Sequence, residues 1–242
     1  MRIFAIWTAM HSSSYPPRFA QRPKHSNQTP TVCLLVLTLC AGLAIANPLG
    51  LTDKMLDAVA KEYGRRARSR VLSWQHLVDS SLGLEEQQKL VRVNDFFNQV
   101  RFINDEKHWQ KFDYWATPIE LLATDGGDCE DFAIAKYITL RALKVPDDKL
   151  RITYVKALTL NQAHMVLTYY DTPASMPRIL DNLDPVIKPA DQRSDLEPVY
   201  SFNGEGLWLA KTGGDGQKMG SSSDLNMWRD LVARLQKERT SS

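Results

Sequence analysis

The chain has 242 residues, of which 43% are hydrophobic and 24% are charged, a composition that is ordinary for a globular protein. Its formal net charge of +2 gives no sign of the basic surface that nucleic-acid binding needs, so we expect no nucleic-acid partner. Without its N-terminal segment, residues 1–46, the chain has the length of a single domain of ordinary size.

The N-terminal segment has the pattern of an export signal. Residues 1–31 are rich in Ser, Pro, His and Arg and contain no acid, an apolar run follows over residues 32–43, and Ala44-Ile45-Ala46 supplies a cleavage signal. The apolar run is too short to span a bilayer as a mature helix. We therefore predict a secretory signal peptide over residues 1–46, and a periplasmic mature chain that does not insert into the membrane and forms a single domain over residues 47–242.

Removal of this segment changes both the charge and the cysteine content. Four of the 30 basic residues and no acidic residue lie within it, so the mature chain has 26 basic and 28 acidic residues and a net charge of −2. Cys33 and Cys40 are removed as well, which leaves Cys129 as the single cysteine. An unpaired thiol in an oxidising compartment needs a reason to persist, which favours a functional role for Cys129.

Apolar spacing predicts helices in most of the first half of the chain and strands in most of the second half. The predicted helices cover residues 51–70, 71–78, 84–100, 117–122, 129–143 and 225–237, and residues 102–115 form an irregular segment rich in aromatic residues. The predicted strands cover residues 151–156, 163–170 and 178–183, and residues 199–202 and 206–210 form a hairpin. The Gly- and Ser-rich residues 213–223 are predicted to be a flexible loop. Helices followed by sequential antiparallel strands indicate an α+β fold.

The stretch that leads into the fifth predicted helix, Gly126 to Phe132, concentrates reactive side chains. It predicts a paired-glycine turn followed by a helix that Asp128 can cap. Cys129 then lies in the first turn, where backbone N–H groups stabilise a thiolate. A cysteine used as a small apolar core residue is the alternative.

Three residues can be assembled into a nucleophilic site. They are Cys129 at the helix start, His164 near the start of a strand and Asp181 in the following strand. The imidazole must reach the sulfur to form a thiolate–imidazolium pair, and the carboxylate would hold the other ring nitrogen. If the two strands are adjacent and antiparallel, His164 and Asp181 can be cross-strand neighbours. His76 and His108 could also serve, but they precede the cysteine in the helical and aromatic region.

Three acids, Asp128, Glu130 and Asp131, crowd the predicted nucleophile. Carboxylates so close to a thiol raise its pKa, which opposes the thiolate that catalysis needs. A hard dication held by their oxygens would cancel that field. We therefore predict these three residues as metal ligands, with the alternative that they are simply acids at a helix N-terminus.

Several stretches of the sequence resemble the bacterial transglutaminase-like cysteine proteinases, and within them the LapG-type periplasmic adhesin proteases. These stretches are Asp113–Leu122, Gly126–Tyr137, Ala163–Leu167 and Leu180–Asn182. The resemblance implies a papain- or transglutaminase-like core, with N-terminal helices and the cysteine-bearing helix packed on an antiparallel sheet. It also implies Cys129 as the nucleophile, His164 as general base and then acid, and Asp181 as the orienting acid.

The same resemblance implies a metal, a substrate and a partner. The metal is calcium, and the substrate is a large LapA-like surface adhesin that is cut near its N-terminus at a paired-alanine site, which releases it and promotes biofilm dispersal. The partner is a LapD-like inner-membrane receptor that sequesters the protease when cyclic di-GMP is high. A transglutaminase-type acyl transferase with the same triad and a non-catalytic periplasmic binding module are the alternatives.

Overall fold

The structure is a computed structural model that describes residues 47–209 and 216–240. The predicted signal peptide, residues 1–46, and the first part of the predicted loop, residues 213–215, lie outside these ranges. No helix within the described ranges is both long and apolar enough to cross a lipid bilayer.

Seven α-helices lie in the described ranges, and all but the short α4, which lies in the segment predicted to be irregular, are at or near predicted positions. They are α1 (Asp53–Tyr63), α2 (Arg65–Asp79), α3 (Glu86–Phe97), α4 (Asp105–His108), α5 (Pro118–Thr124), α6 (Cys129–Ala142) and α7 (Asn226–Thr240). The single helix predicted over residues 51–70 is wrong, because the chain breaks at Gly64. The φ of this glycine is 89°, a conformation that other residues rarely adopt. Thr52 caps α1, since its Oγ1 accepts a hydrogen bond from the Met55 backbone N–H at 3.2 Å.

A short parallel pair of strands sets the path of the chain into α6. Strand β1 (Arg101–Phe102) pairs with β2 (Gly126–Gly127). The predicted paired-glycine turn is therefore wrong: both glycines are extended, and the chain turns at Asp125, whose φ of 55° is left-handed. The glycine at position 127 is needed for space, because a Cβ there would lie 2.4 Å from Asp131 Oδ2.

Seven further strands form one antiparallel sheet. They are β3 (Leu150–Ala157), β4 (Gln162–Tyr169), β5 (Arg178–Leu180), β6 (Lys188–Pro189), β7 (Leu196–Phe202), β8 (Leu207–Leu209) and β9 (Gln217–Gly220). Their spatial order is β6-β5-β4-β3-β7-β8-β9. The predicted hairpin is confirmed as β7 and β8.

Two of the predictions for the second half of the chain need correction. Strand β5 ends at Leu180, so Asp181 follows the strand instead of lying in it. Part of the predicted flexible loop is strand β9, which pairs with β8 at the edge of the sheet.

Helix α6 is the central helix of the described part of the chain. It packs against β4 and β3 of the sheet and against α3. Nine of its fourteen residues are buried, which explains why its sequence is mostly apolar or small instead of alternating between an apolar and a polar face. The predicted α+β fold, with helices packed on an antiparallel sheet, is confirmed, and this packing places the start of α6 at the sheet.

Candidate active site

Cys129 is the first residue of α6, and Asp128 precedes it as the N-cap. The thiol is free and half-buried, and its Sγ donates a hydrogen bond to Glu130 Oε2 at 3.1 Å. The backbone of Met165 also hydrogen-bonds the sulfur. Because Met165 follows His164 in β4, this contact places the sulfur beside the strand that carries the predicted histidine.

The predicted histidine and aspartate meet in the sheet. His164 Nε2 lies 2.8 Å from Asp181 Oδ1, and both side chains are buried. Leu167 faces Leu180 in the register of β4 and β5. Asp181 therefore comes opposite Val166, and His164 is its diagonal neighbour on the same face. The two residues are thus not direct cross-strand partners, although their side chains do meet.

The surroundings of Asp181 keep its carboxylate ionised. Burial alone raises the pKa of this group, but hydrogen bonds and the charges of its partners lower it to about 2. Besides the imidazole, these partners are the Leu183 backbone N–H, 3.0 Å from Oδ1, and Arg193 Nη2, 2.8 Å from Oδ2. An ionised acid at Nε2 fixes the tautomer of His164 and leaves Nδ1 as the nitrogen that can face a sulfur.

The sulfur and the imidazole do not share a hydrogen bond. Within the described residues, the side-chain partner of the Cys129 sulfur is Glu130 and not the ring of His164. Burial, and after it the carboxylates of Glu130 and Asp128, raise the pKa of the thiol. A thiolate–imidazolium pair therefore requires that the field of these acids be offset.

Five carboxylates converge beside the cysteine. They form two groups whose oxygens lie within 4.8 Å of one another: Asp105, Asp113 and Glu130 make one, and Asp105, Asp128 and Asp131 make the other. Asp105 Oδ1 and Asp128 Oδ1 are buried and have no hydrogen-bond partner within the described part of the chain. Buried acceptors without a donor are costly, and carboxylate oxygens of this kind are the ligands that Ca²⁺ takes. The residues present therefore fit a calcium ion.

The three predicted metal ligands all lie in this cluster, but Asp131 differs from the other two. Its Oδ1 accepts a hydrogen bond from the Ala116 backbone N–H at 2.6 Å, and its Oδ2 accepts one from the Asp128 backbone N–H at 3.2 Å. Both of its oxygens therefore already hold backbone groups, one just before α5 and the other at the N-cap of α6. Sequence reasoning missed Asp105 and Asp113, because the irregular segment that contains them has no periodicity to show which side chains face inward.

The acids of this cluster repel one another. Burial raises the pKa of Asp105 to about 6 and that of Asp128 to about 8, and neighbouring carboxylates add to both shifts. Burial also raises the pKa values of Glu130 and Asp131. A bound dication would offset both the cost of burying these carboxylates and their repulsion of one another.

The two other histidines of the described residues have local roles. His108 Nε2 lies 2.8 Å from Thr124 Oγ1, and its ring contacts that of Trp109 edge-on. His76 lies in the last turn of α2. The histidine that meets an acid in the sheet is therefore His164.

The fold and this set of side chains define the class of protein: a cysteine enzyme whose thiol starts a helix, with a buried His–Asp pair at the adjoining sheet and an acidic cluster beside the thiol. Residues 65–196, more than half of the chain, match the model of the bacterial transglutaminase-like cysteine proteinase family, BTLCP. The chain belongs to this family. Membership indicates cysteine protease activity.

The fold is similar to solved structures of LapG from Legionella pneumophila. An EGTA-treated LapG structure is 48% identical, with a TM-score of 0.67, and the match covers 75% of this chain and 96% of that chain. A calcium-bound LapG structure is 47% identical, with a TM-score of 0.66, and the match covers 76% of this chain and 99% of that chain. A comparison with curated protein sequences finds no significant match. The LapG-type resemblance and the transglutaminase-like core are confirmed.

Proposed function

We propose that the protein is a calcium-dependent cysteine endopeptidase with Cys129, His164 and Asp181 as its catalytic triad. The observation that carries the proposal is the 2.8 Å contact between His164 Nε2 and Asp181 Oδ1, on a strand whose next residue, Met165, touches the sulfur. The pKa of the buried Asp181 carboxylate is lowered beside a histidine and a thiol, and perturbed acids of this kind are typical of functional sites, which supports this assignment.

The proposed reaction is acyl transfer to water. Cys129 gives its proton to Nδ1 of His164 and attacks the scissile carbonyl, while Asp181 holds the charged ring in place. Backbone N–H groups at the start of α6, including that of Cys129, stabilise the oxyanion of the tetrahedral intermediate. His164 then donates its proton to the leaving amine, and water resolves the thioester with the same imidazole as general base.

The proposed calcium ligands are Asp105, Asp113, Asp128 and Glu130, while Asp131 chiefly holds the loop through its two backbone contacts. When bound, the ion supplies positive charge that offsets the carboxylates around the thiol. The orphaned oxygens of Asp105 and Asp128 support this ligand set. The existence of a calcium-bound structure of the similar LapG supports the choice of ion.

The proposed substrate is the N-terminal region of a large LapA-like surface adhesin, cut at a paired-alanine site. Cleavage would release the adhesin from the cell surface and promote biofilm dispersal. We place the enzyme in the periplasm after removal of residues 1–46, where a LapD-like inner-membrane receptor sequesters it when cyclic di-GMP is high. The 48% identity to LapG over most of both chains supports these assignments.

Incubation of the processed chain with an adhesin N-terminal fragment tests the proposal. Cleavage is expected in calcium, and none is expected with excess EGTA or for the Cys129→Ala variant. Mass spectrometry in water enriched in heavy oxygen should show the label in the new carboxylate. An uncut fragment in calcium would refute the substrate, full cleavage in EGTA would refute the metal role, and an amide product with an added amine would favour acyl transfer to amines.

A further inference from the structure

The carboxylate of Asp181 is held from two sides. Its Oδ1 faces His164, and its Oδ2 accepts a hydrogen bond from Arg193 Nη2 at 2.8 Å. The Asp181 side chain has no exposed surface, and that of Arg193 is 5% exposed. The second contact is therefore a charge-assisted hydrogen bond shielded from water, which is the stronger kind.

Arg193 is itself fixed by Asp195. Its Nε donates to Asp195 Oδ1 and its Nη2 to Asp195 Oδ2, both at 2.9 Å, in the bidentate geometry that a guanidinium favours. The backbone oxygen of Asp195 accepts a hydrogen bond from the Leu158 N–H at 2.8 Å, which ties this segment to the end of β3. The position of the guanidinium is thus fixed by Asp195 and the segment that carries it, and not by Asp181 alone.

A second buried cation faces Asp181 from α6. Lys136 is fully buried, and its Nζ donates a hydrogen bond to Asn94 Oδ1 at 2.9 Å. Burial lowers the pKa of Lys136 to about 7, although Asp181 and Asp95 oppose the shift. Burial thus works against the charged form of the lysine, whereas a guanidinium stays charged. Arg193 is the permanent positive charge at the acid of the proposed triad.

We infer that Arg193 is a positioning residue for the His164–Asp181 pair. This inference rests on the proposed roles of those two residues. A carboxylate held at one oxygen can swing about its Cβ–Cγ bond, whereas one held at both oxygens keeps Oδ1 aimed at Nε2. Reacting groups lose much of their rate when they drift by a fraction of an ångström, so this restraint has a catalytic consequence.

The hold of Arg193 on Asp181 has a second effect that can be measured apart from activity. A carboxylate that keeps Oδ1 against Nε2 holds the Nε2 proton in a buried hydrogen bond and protects it from exchange with water. Loss of Arg193 should therefore speed up the exchange of that proton. A residue that merely filled space would leave the exchange unchanged.

The test compares Arg193→Gln, Arg193→Lys and a matched control, Arg178→Gln. Arg178 lies on β5, three residues before Asp181 in the chain, and forms a 3.2 Å ion pair with Asp171 in which both side chains are partly exposed. Proton and nitrogen NMR of the processed chain can follow the His164 ring, because only two other histidines follow residue 46. Cleavage of the adhesin fragment in calcium gives kcat/KM in parallel.

For Arg193→Gln we expect the Nε2–H resonance of His164 to broaden as exchange with water speeds up. We also expect kcat/KM to fall roughly tenfold or more. Arg193→Lys keeps the charge but not the planar fork of donors, so it should restore only part of the sharp resonance and part of kcat/KM. Arg178→Gln should change neither the resonance nor kcat/KM.

An unchanged His164 Nε2–H resonance in a folded Arg193→Gln variant would overturn the inference, as would equal broadening in Arg178→Gln. If the glutamine variant does not fold, Arg193→Lys decides: wild-type kcat/KM with a sharp Nε2–H resonance would overturn the positioning role. If the wild type does not cleave the fragment, the proposed function fails, while the Nε2–H resonance of His164 still tests the inference.

Discussion

The Cys129 thiol donates its hydrogen bond to Glu130 Oε2 at 3.1 Å, so the proposed nucleophile is bonded to a proposed calcium ligand. This one hydrogen bond therefore connects the proposed nucleophile with the proposed metal site. The sulfur cannot give its proton to an imidazole while a carboxylate holds it, which links metal binding to the chemistry of the thiol.

Asp105→Asn should weaken calcium binding roughly tenfold or more, because it removes the charge of a buried ligand that belongs to both acidic groups. Isothermal titration calorimetry of the metal-depleted chain measures the affinity. The matched control is Glu106→Gln, since Glu106 is the next residue in the chain and is exposed. Equal calcium affinities for wild type and Asp105→Asn would remove Asp105 from the ligand set.

Asp181→Asn should lower kcat roughly a hundredfold or more, because a neutral amide does not stabilise the imidazolium that forms during catalysis. It should also lower stability, since the buried guanidinium of Arg193 loses an anionic partner. Steady-state cleavage and thermal unfolding measure the two effects. Asp184→Asn is the control, because Asp184 pairs with Lys188 near the surface. Wild-type kcat in Asp181→Asn would contradict the orienting role.

Gly127→Ala should destabilise the protein by roughly 1–3 kcal/mol, because the added Cβ would lie 2.4 Å from Asp131 Oδ2 and 2.7 Å from Leu121 Cδ1. The displaced Asp131 would then release the backbone before the cysteine, so activity should fall with stability. Urea unfolding and the cleavage assay measure both. Gly83→Ala has nothing within 4 Å and should be neutral. A Gly127→Ala variant as stable as wild type would show that this close packing is not needed.

Glu238 on α7 tests the electrostatics of the fold away from the active site. Burial raises its pKa to about 7, and its Oε1 accepts a hydrogen bond from Thr117 Oγ1 at 2.6 Å. The pKa of an unfolded glutamic acid is about 4.3, so the pKa of Glu238 is higher in the folded chain. The stability that this group contributes is therefore fully present below about pH 4.3 and is lost as the pH rises through about 7.

The Glu238→Gln variant no longer titrates at this position. As the pH rises from 5 to 8, the melting temperature of wild type should therefore fall relative to that of Glu238→Gln by about 3 °C or more. Thermal melts at the two values measure this change, and the exposed Glu197→Gln substitution serves as control. A constant difference between Glu238→Gln and wild type at both values would show that Glu238 titrates normally in the folded protein.

The local signals in the sequence were sufficient for the helix that carries the cysteine. An acidic N-cap at Asp128 and an uninterrupted run of helix formers after Cys129 predict α6 because both effects act within a few residues. Alternating apolar residues likewise predicted β3 and β4, and with them the α+β fold. The meeting of His164 with Asp181 followed once β4 and β5 were placed side by side.

The parts that sequence reasoning missed depend on contacts between distant segments. Gly126 and Gly127 look like a turn, but pairing with β1 makes them extended, and only that partner reveals it. Asp105 begins the four-residue helix α4 and Arg193 lies between β6 and β7, and neither stretch is long enough to show a period that fixes the direction of a side chain. Their roles depend on where the sheet and α6 place Asp128 and Asp181, so they emerge only from the folded chain.

The central claim is that the sulfur of Cys129 attacks the scissile carbonyl of the substrate. Its most direct test is mass spectrometry of the Cys129 peptide after the processed chain is mixed with the adhesin fragment in calcium and quenched with acid during the first turnover. We predict a peptide that carries the N-terminal product as a thioester, and no such mass and no cleavage in Cys129→Ala. A fragment cut equally well by Cys129→Ala would contradict the claim.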